Sequence, residues 1–452
     1  MSLVKNLAQT FGSKMIAIAL SFITSVFLTR LLGPEGRGVF AYVSTNVMLL
    51  TMLLGFSMTR TMAYFAASGS AEKGKNLKLG VGVGITLLSI LLFSSVIYLL
   101  YWQESKVVNY LIPKDYQTTI LLLFLVGSFA YQSVNNYLTG VWQGSKQFSV
   151  YNYTVVNERV ISVAVFGVIW FFGLFSENEV IQNVFLTLLA IYGIDLLIKI
   201  FFFLKSTVSQ IGFSLSAFYK DPSLIKSVLA FGSVGMAAGV LNFANRRLDI
   251  WFIEYYQGMQ ELGYYALSAR LSDILLVVLT PALQVLLPYF NSYSEEKGLE
   301  LLSFCTRIGF WSILIAFIVL ILLGPYVIPL LYGAEFINSI VPFQLLCIGL
   351  FFVFVRNIYT VYNVAINQQK VNLWGNAIGL LLTIVFDFLL IPDYGVIGAC
   401  VASIIAYFVS FVFIVGSVVL PAKKGVAYFF IPKPKDFAEV KTFIAKKIDL
   451  KK

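Results

Sequence analysis

Apolar residues come in long uninterrupted runs separated by short polar connections, and the runs fill the whole chain. A helix of about 20 residues crosses roughly 30 Å of hydrocarbon. Strands of a closed barrel would alternate apolar and polar positions over about ten residues, and these runs do not alternate. Hydrocarbon offers no water to backbone N–H and C=O groups, so each run is read as a helix that satisfies its own. The pattern predicts twelve, over 10–32, 38–66, 80–101, 118–142, 153–175, 180–204, 226–256, 263–291, 303–323, 339–367, 372–392 and 394–420. The second, seventh, eighth and tenth exceed the length of a simple span, so they tilt or protrude.

The polar connections carry a one-sided charge. Lys5, Lys14, Lys73, Lys75, Lys78, Lys146, Lys205, Lys220, Lys226, Lys297, Arg307, Lys370 and nine lysines after residue 420 fall on one side, against Arg37, Lys106 and Lys114 on the other. By the excess of cationic residues in cytoplasmic loops, both termini are cytoplasmic. The net charge of +10 is mostly this bias, and no nucleic-acid partner is needed to explain it. Membrane lipids are the expected surroundings. At 59% hydrophobic and 12% charged residues, the chain departs from water-soluble domains, which carry roughly 25% charged residues. Lys5 and Lys14 precede an apolar run as in a signal peptide, but that run continues to Leu32 without a small-residue cleavage site, so it is read as a retained helix. Cys305, Cys347 and Cys400 lie inside apolar runs and read as packing residues. The chain has no histidine, which removes the commonest zinc ligand, and no metal site is expected.

The two halves repeat each other. Phe11-Gly12-Ser13 recurs as Phe231-Gly232-Ser233; then, at an offset of 225, Gly38 meets Gly263, Ala41 meets Ala266 and Tyr64-Phe65 meets Tyr289-Phe290. Lys146 and Asn152 match Lys370 and Asn376 at an offset of 224. An even number of spans per half makes the repeats parallel. The fold expected is therefore all-α and integral to the membrane, with twelve transmembrane helices in two parallel-repeat six-helix bundles around a central cavity. Residues 1–210 form the first bundle, 211–225 a cytoplasmic linker, 226–420 the second bundle and 421–452 a Lys-rich cytoplasmic tail. Such a chain fits a transporter working by rocking of its halves.

A charge at the middle of a membrane helix costs about 2.5–3.5 kcal/mol and marks a functional candidate. Glu158 and Arg159 sit near a span end where side chains snorkel, Asp195 and Lys199 are spaced to pair on one helix, and Arg30 lies near the outer end of the first span; these five read as structural. The seventh and eighth spans differ. Asn242, Asn245, Arg246, Arg247 and Asp249 crowd one, and Arg270 and Asp273 lie on the other, with Arg246–Asp249 and Arg270–Asp273 at a spacing of three. Guanidinium groups cannot face lipid and bind phosphate oxygens in pairs. Arg60, Arg246, Arg247, Arg270 and Arg356 are therefore expected to line a cationic cavity between the bundles that receives a phosphate or other anionic group, with interhelical salt bridges as the alternative.

The stretch Arg30-Leu31-Leu32-Gly33-Pro34-Glu35-Gly36-Arg37-Gly38-Val39-Phe40 resembles the first-to-second helix turn of bacterial polysaccharide and O-antigen flippases, in the multidrug/oligosaccharidyl-lipid/polysaccharide exporter superfamily. Gly33-Pro34 is expected to stop the first helix, and Gly36 and Gly38 to allow the reversal. Leu390-Ile391-Pro392-Asp393-Tyr394-Gly395-Val396-Ile397-Gly398-Ala399 looks like the same family's turn between its last two helices, and the likeness in layout covers residues 5–420. The resemblance implies a flippase that moves an undecaprenyl-pyrophosphate-linked oligosaccharide from the cytoplasmic to the outer leaflet of the bacterial inner membrane, for surface polysaccharides such as lipopolysaccharide. It implies work beside a polysaccharide polymerase and chain-length machinery. It implies no cofactor beyond a coupling Na+ or H+, for which Asp249, Asp273 and Asp387 are the acids to consider, as coupling or as pairing groups. The related lipid-linked peptidoglycan-precursor flippases typically have fourteen helices, so a count of twelve argues against that branch.

A drug or organic-cation antiporter of the same superfamily is the nearest alternative, but its cavity should be acidic or aromatic. A membrane saccharide polymerase would need a sizeable outer loop with placed acids and bases, and a glycan-assembly subunit would need no transport at all. The outer connections are short and no phosphate-binding glycine loop occurs. The chain is not expected to be an enzyme.

Overall fold

The computed structural model describes residues 3–67, 72–175, 179–208 and 222–436, and among them the chain is helical, without strands. In chain order the helices are α1 Leu3–Leu54, α2 Met58–Ala67, α3 Glu72–Trp102, α4 Thr119–Gly144, α5 Phe148–Phe172, α6 Val180–Phe202, α7 Pro222–Arg247, α8 Asp249–Gln257, α9 Met259–Ser292, α10 Glu295–Tyr332, α11 Ile340–Ala365, α12 Gln369–Val419 and the short α13 Val426–Phe430. Eight helical stretches among the described residues are long and apolar enough to cross a membrane. The protein is a multi-span membrane protein.

Two of the longest helices are broken by glycine. In α1, Gly33 has φ 65° and ψ −178°; in α12, Gly395 has φ 55° and ψ −135°. These left-handed values favour glycine, and both residues belong to the two turn-like stretches singled out in the sequence. At the second break a Cβ on Gly398 would overlap the carbonyl of Leu390, so the chain folds sharply back there. At the first, the break turns on Gly33 with Pro34 starting the second limb. Gly36 and Gly38 lie inside that limb rather than in the turn, a correction to their expected role. Gly38 is small for packing: a Cβ there would overlap the carbonyl oxygen of Met259, and a Cβ on Gly263 would overlap that of Pro34. The contact is reciprocal at the offset of 225, since Pro34 matches Met259 as Gly38 matches Gly263.

The chain forms two compact units. The first comprises Met1–Glu254 with Gly258–Gly263. Its core sets Met62, Leu138, Val141 and Trp142 together where α2 lies along α4. The approach is close because Gly140 and Gly144 of α4 meet the backbone at Thr59 and Ala63 of α2, the small-residue packing that membrane helices use in place of a hydrophobic drive. Helix α7 joins this unit, with Gly232 against the Phe56 carbonyl and Phe231 stacked on Tyr64 at 4.5 Å. The interruption between α1 and α2 falls at Gly55–Ser57, where Phe56 and Ser57 both take positive φ.

The second unit comprises Tyr255–Gln257 with Tyr264–Lys452. Its core runs between α11 and α12, where Cys347, Val355, Ala399, Cys400, Ala402 and Ala406 are fully buried. The Cys400 thiol faces the Pro342 carbonyl at 3.7 Å, and Cys347 lies 3.9 Å from the Ser272 hydroxyl, consistent with cysteine as a packing residue. The segment after α12 sends two side chains, Phe429 and Asp436, into the core. Phe429 of α13 is fully buried, and Phe430 meets Phe310 edge to face at 5.3 Å. Of the Lys-rich tail up to residue 436, Phe429 and Asp436 are buried and most other residues are exposed or half-buried, and the rest lies outside the described residues.

Candidate functional site

In the first unit, Arg60 lies exposed in the opening turn of α2, just after the Gly55–Ser57 interruption. Arg246 and Arg247 form the last turn of α7, with Arg246 exposed and Arg247 half-buried. Leu248 keeps helical backbone angles, φ −64° and ψ −36°, and its N–H donates to the Ala244 carbonyl at 3.2 Å, so α7 runs almost without a break into α8. One residue later α8 starts at Asp249, which is buried. The Trp251 indole N–H donates to Asn46 Oδ1 at 2.9 Å, and the Asn46 amide donates to the carbonyls of Tyr110 and Leu111, each at 3.1 Å. The Tyr42 hydroxyl also donates to the Tyr110 carbonyl, at 3.1 Å. These bonds tie the start of α8 to the second limb of α1 and to the 106–110 turn, and so fix where the α7–α8 arginines project.

The other sequence candidates belong to the second unit. Arg270 is exposed and Asp273 half-buried on α9. Arg356 of α11 is half-buried and donates from Nη1 to Ser410 Oγ of α12 at 2.7 Å. Asp387 of α12 is fully buried. Arg60, Arg246 and Arg247 thus share one unit, and Arg270 and Arg356 the other.

A tighter polar site sits where the sequence predicted structural pairs. Lys199 on α6 is 2% exposed, and its ammonium lies 2.6 Å from Asp195 Oδ2 one turn earlier. The same ammonium donates to Asn135 Oδ1 at 2.8 Å and to the Tyr131 hydroxyl at 3.0 Å, both on α4. Tyr131 in turn donates to Asp195 Oδ2 at 2.9 Å. Glu158 of α5 closes the group, 3.9 Å from Lys199 and 3.2 Å from Arg159. The i,i+4 pairing on α6 matches the expectation. Lys199 does not snorkel, because two oxygens of α4 and one of Asp195 meet its three N–H donors inside the unit. Tyr131 and Asn135 carried no charge or spacing signal that would connect them to α6. Arg30, the fifth residue of that structural set, stacks on Trp170 at 5.6 Å.

A second buried cation is Arg307, counted among loop charges in the sequence. It lies inside α10 at 1% exposure, and its Nε and Nη2 donate to the two oxygens of Asp436 at 2.6 and 2.7 Å. Its Nη1 donates to the Tyr428 carbonyl at 2.8 Å. The Arg307 hydrogen bonds hold the Asp436 carboxyl below the usual aspartate range against its burial, helped by the Lys433 N–H and by nearby positive charge. In the 114–116 turn, Tyr116 donates to Glu35, and burial together with that carboxylate raises its pKa.

Over residues 3–294 the chain matches the family described as polysaccharide biosynthesis protein. It is similar to the capsular polysaccharide biosynthesis protein CapF of Staphylococcus aureus, at 22% identity over 91% of this chain and 98% of the relative. It is similar also to the uncharacterized membrane protein MJ1068 of Methanocaldococcus jannaschii, at 22% identity over 91% of this chain and 82% of that one. Among solved structures, the lipid II flippase MurJ in an inward closed conformation superposes with a TM-score of 0.68 at 15% identity, covering 92% of this chain and 87% of MurJ. A multidrug resistance MATE family transporter of the MOP superfamily, inward-facing, superposes with a TM-score of 0.68 at 13% identity, covering 90% and 96%. At these identities the likeness to solved structures establishes a shared fold.

Proposed function

From a chain that belongs to the polysaccharide biosynthesis protein family, we propose a flippase. It carries an undecaprenyl-pyrophosphate-linked oligosaccharide repeat unit from the cytoplasmic to the outer leaflet of the bacterial inner membrane by alternating access. Both termini are cytoplasmic in this reading, and the twelve spans form two parallel repeats. The reciprocal contact of Gly38 with Met259 and Gly263 with Pro34 supports the repeat. The observation that carries the substrate is the set of arginines on apolar helices of a polysaccharide-biosynthesis chain. Arg60, Arg246, Arg247, Arg270 and Arg356 offer planar forks to a pyrophosphate, each able to bind two oxygens. Asp249, Asp273 and Asp387 are the acids assigned to coupling with Na+ or H+, or to holding those arginines.

The test is made in the native host after depletion of the protein, with lipid-linked oligosaccharide assigned to a leaflet by an impermeant glycan-modifying reagent. Accumulation on the cytoplasmic leaflet is expected, reversed by the intact protein and not by an Arg246→Ala/Arg247→Ala variant of normal abundance. Unchanged amount and sidedness would overturn the reading in favour of an organic-cation antiporter, a second reading favoured by the fold shared with a multidrug transporter.

A further inference from the structure

Three helices of the first unit build a cage of oxygens around one positive charge. Asp195 Oδ2, Asn135 Oδ1 and Tyr131 Oη stand 2.6, 2.8 and 3.0 Å from the Lys199 ammonium, and Glu158 Oε2 stands at 3.9 Å. Carboxylate, amide and hydroxyl oxygens are what hard cations coordinate, and an ammonium satisfies the same oxygens through its N–H donors. Contacts other than the lysine also position the cage. Tyr131 stacks on Tyr192 at 4.4 Å and 7°, and Asp195 sits on α6 at zero exposure. Its second oxygen, Oδ1, is buried and accepts no hydrogen bond from a described residue, which leaves an acceptor with spare coordinating capacity.

The charges balance: Lys199 and Arg159 stand against Asp195 and Glu158. Helix α1 adds no charge to this balance between Lys14 and Arg30. A further cation entering the intact cage would raise its net charge to +1 in a medium that resists it, and the ammonium already occupies the space. Removing the ammonium would leave the same oxygens around a net charge of −1.

We propose that the α4–α5–α6 cage is a monovalent-cation site whose resident cation is the protein's own Lys199. The wild-type cage takes no alkali ion, and the cage without the lysine does. This holds whatever the protein transports, and it assigns any Na+ dependence of the intact protein to groups outside this cage.

Thermal unfolding of the purified full chain, in sodium, potassium or choline chloride at constant ionic strength, tests it. Lys199→Met should gain a saturable upward shift in sodium or potassium, about 3 °C or more at saturation, with none in choline. The double variant Lys199→Met/Asp195→Asn should lose that shift. Any alkali-ion shift of the wild type should persist in Asp195→Asn. If Lys199→Met fails to fold in choline but folds in sodium or potassium, the proposal stands in its strongest form. A Lys199→Met protein that folds without a cation-specific shift beyond the wild type overturns it, since protonation of the stranded carboxylate then suffices. So does a failure to fold in every salt while the double variant folds. A wild-type shift that Asp195→Asn abolishes also overturns it.

Discussion

Lys199 in the first unit and Arg307 in the second are nearly equivalent by burial and distance, and differ in what holds them. Both are at most 2% exposed, both face an aspartate at zero exposure, and both ion pairs close to 2.6 Å. The partner of Lys199 lies four residues away on the same helix, and the remaining oxygens come from α4 and α5. Arg307 depends on a carboxylate 129 residues away and on the Tyr428 carbonyl, both beyond the last long helix. A buried ion pair is a weak source of net stability, yet losing one partner is costly when the other cannot reach water. In the first unit both partners sit on α6, inside one apolar membrane-length helix. In the second the arginine sits inside α10 and the acid on the segment after α12.

The largest expected effect is therefore in the first unit. Asp195→Asn takes the nearest carboxylate from Lys199, leaving Glu158 at 3.9 Å, and should lower the unfolding free energy by about 3–5 kcal/mol, measured by denaturant titration in micelles. A loss below about 1 kcal/mol would erase the distinction between the two sites. Next comes an asymmetry within the second unit. Asp436→Asn leaves a guanidinium inside α10 and should cost about 2–3 kcal/mol. Arg307→Met releases Asp436 to solvent and should cost about half as much, with residues 420–436 becoming open to protease in both. Equal costs would mean that the segment is held by Phe429 and Phe430 rather than by the ion pair.

The smallest effect is in pH. Asp436 is held below its usual pKa, so its contribution is complete above the unfolded value of about 3.9. It is lost as pH falls through the lower folded value. The Trp311 indole donates to the Phe430 carbonyl at 3.0 Å, so emission from a variant keeping Trp311 as its sole tryptophan should change in that acid range. Asp436→Asn should flatten the response. Lys435→Ala should leave it in place and cost under about 0.5 kcal/mol, because the Lys435–Glu300 pair is 54% and 58% exposed.

The same contrast explains what the sequence made legible. Helix type and most helix limits follow from apolar run length, the breaks follow from Gly33 and Gly395, and the Asp195–Lys199 pair follows from helical spacing. These are local properties. The rest of the cage was not legible, because Tyr131 and Asn135 are ordinary residues until α4 is laid beside α6. Arg307 illustrates the converse: near the end of an apolar run a cation looks like a loop charge, and its acid lies in a tail dense with lysine. The arginine candidates were legible as residue types, while their burial ranges from the exposed Arg60 to the half-buried Arg356, and residue type does not encode it.

The distance from Arg307 to Asp436 is also an interval of time. At roughly 5–20 residues per second, the ribosome needs about 6–26 s to pass from one to the other, a separation of 129 residues. Throughout that interval α10 awaits the carboxylate that finishes it, while the pair on α6 is complete a single turn after its first member. A chain stopped a few codons before Asp436 would possess α10, α11 and α12 and lack the carboxylate that pairs with Arg307.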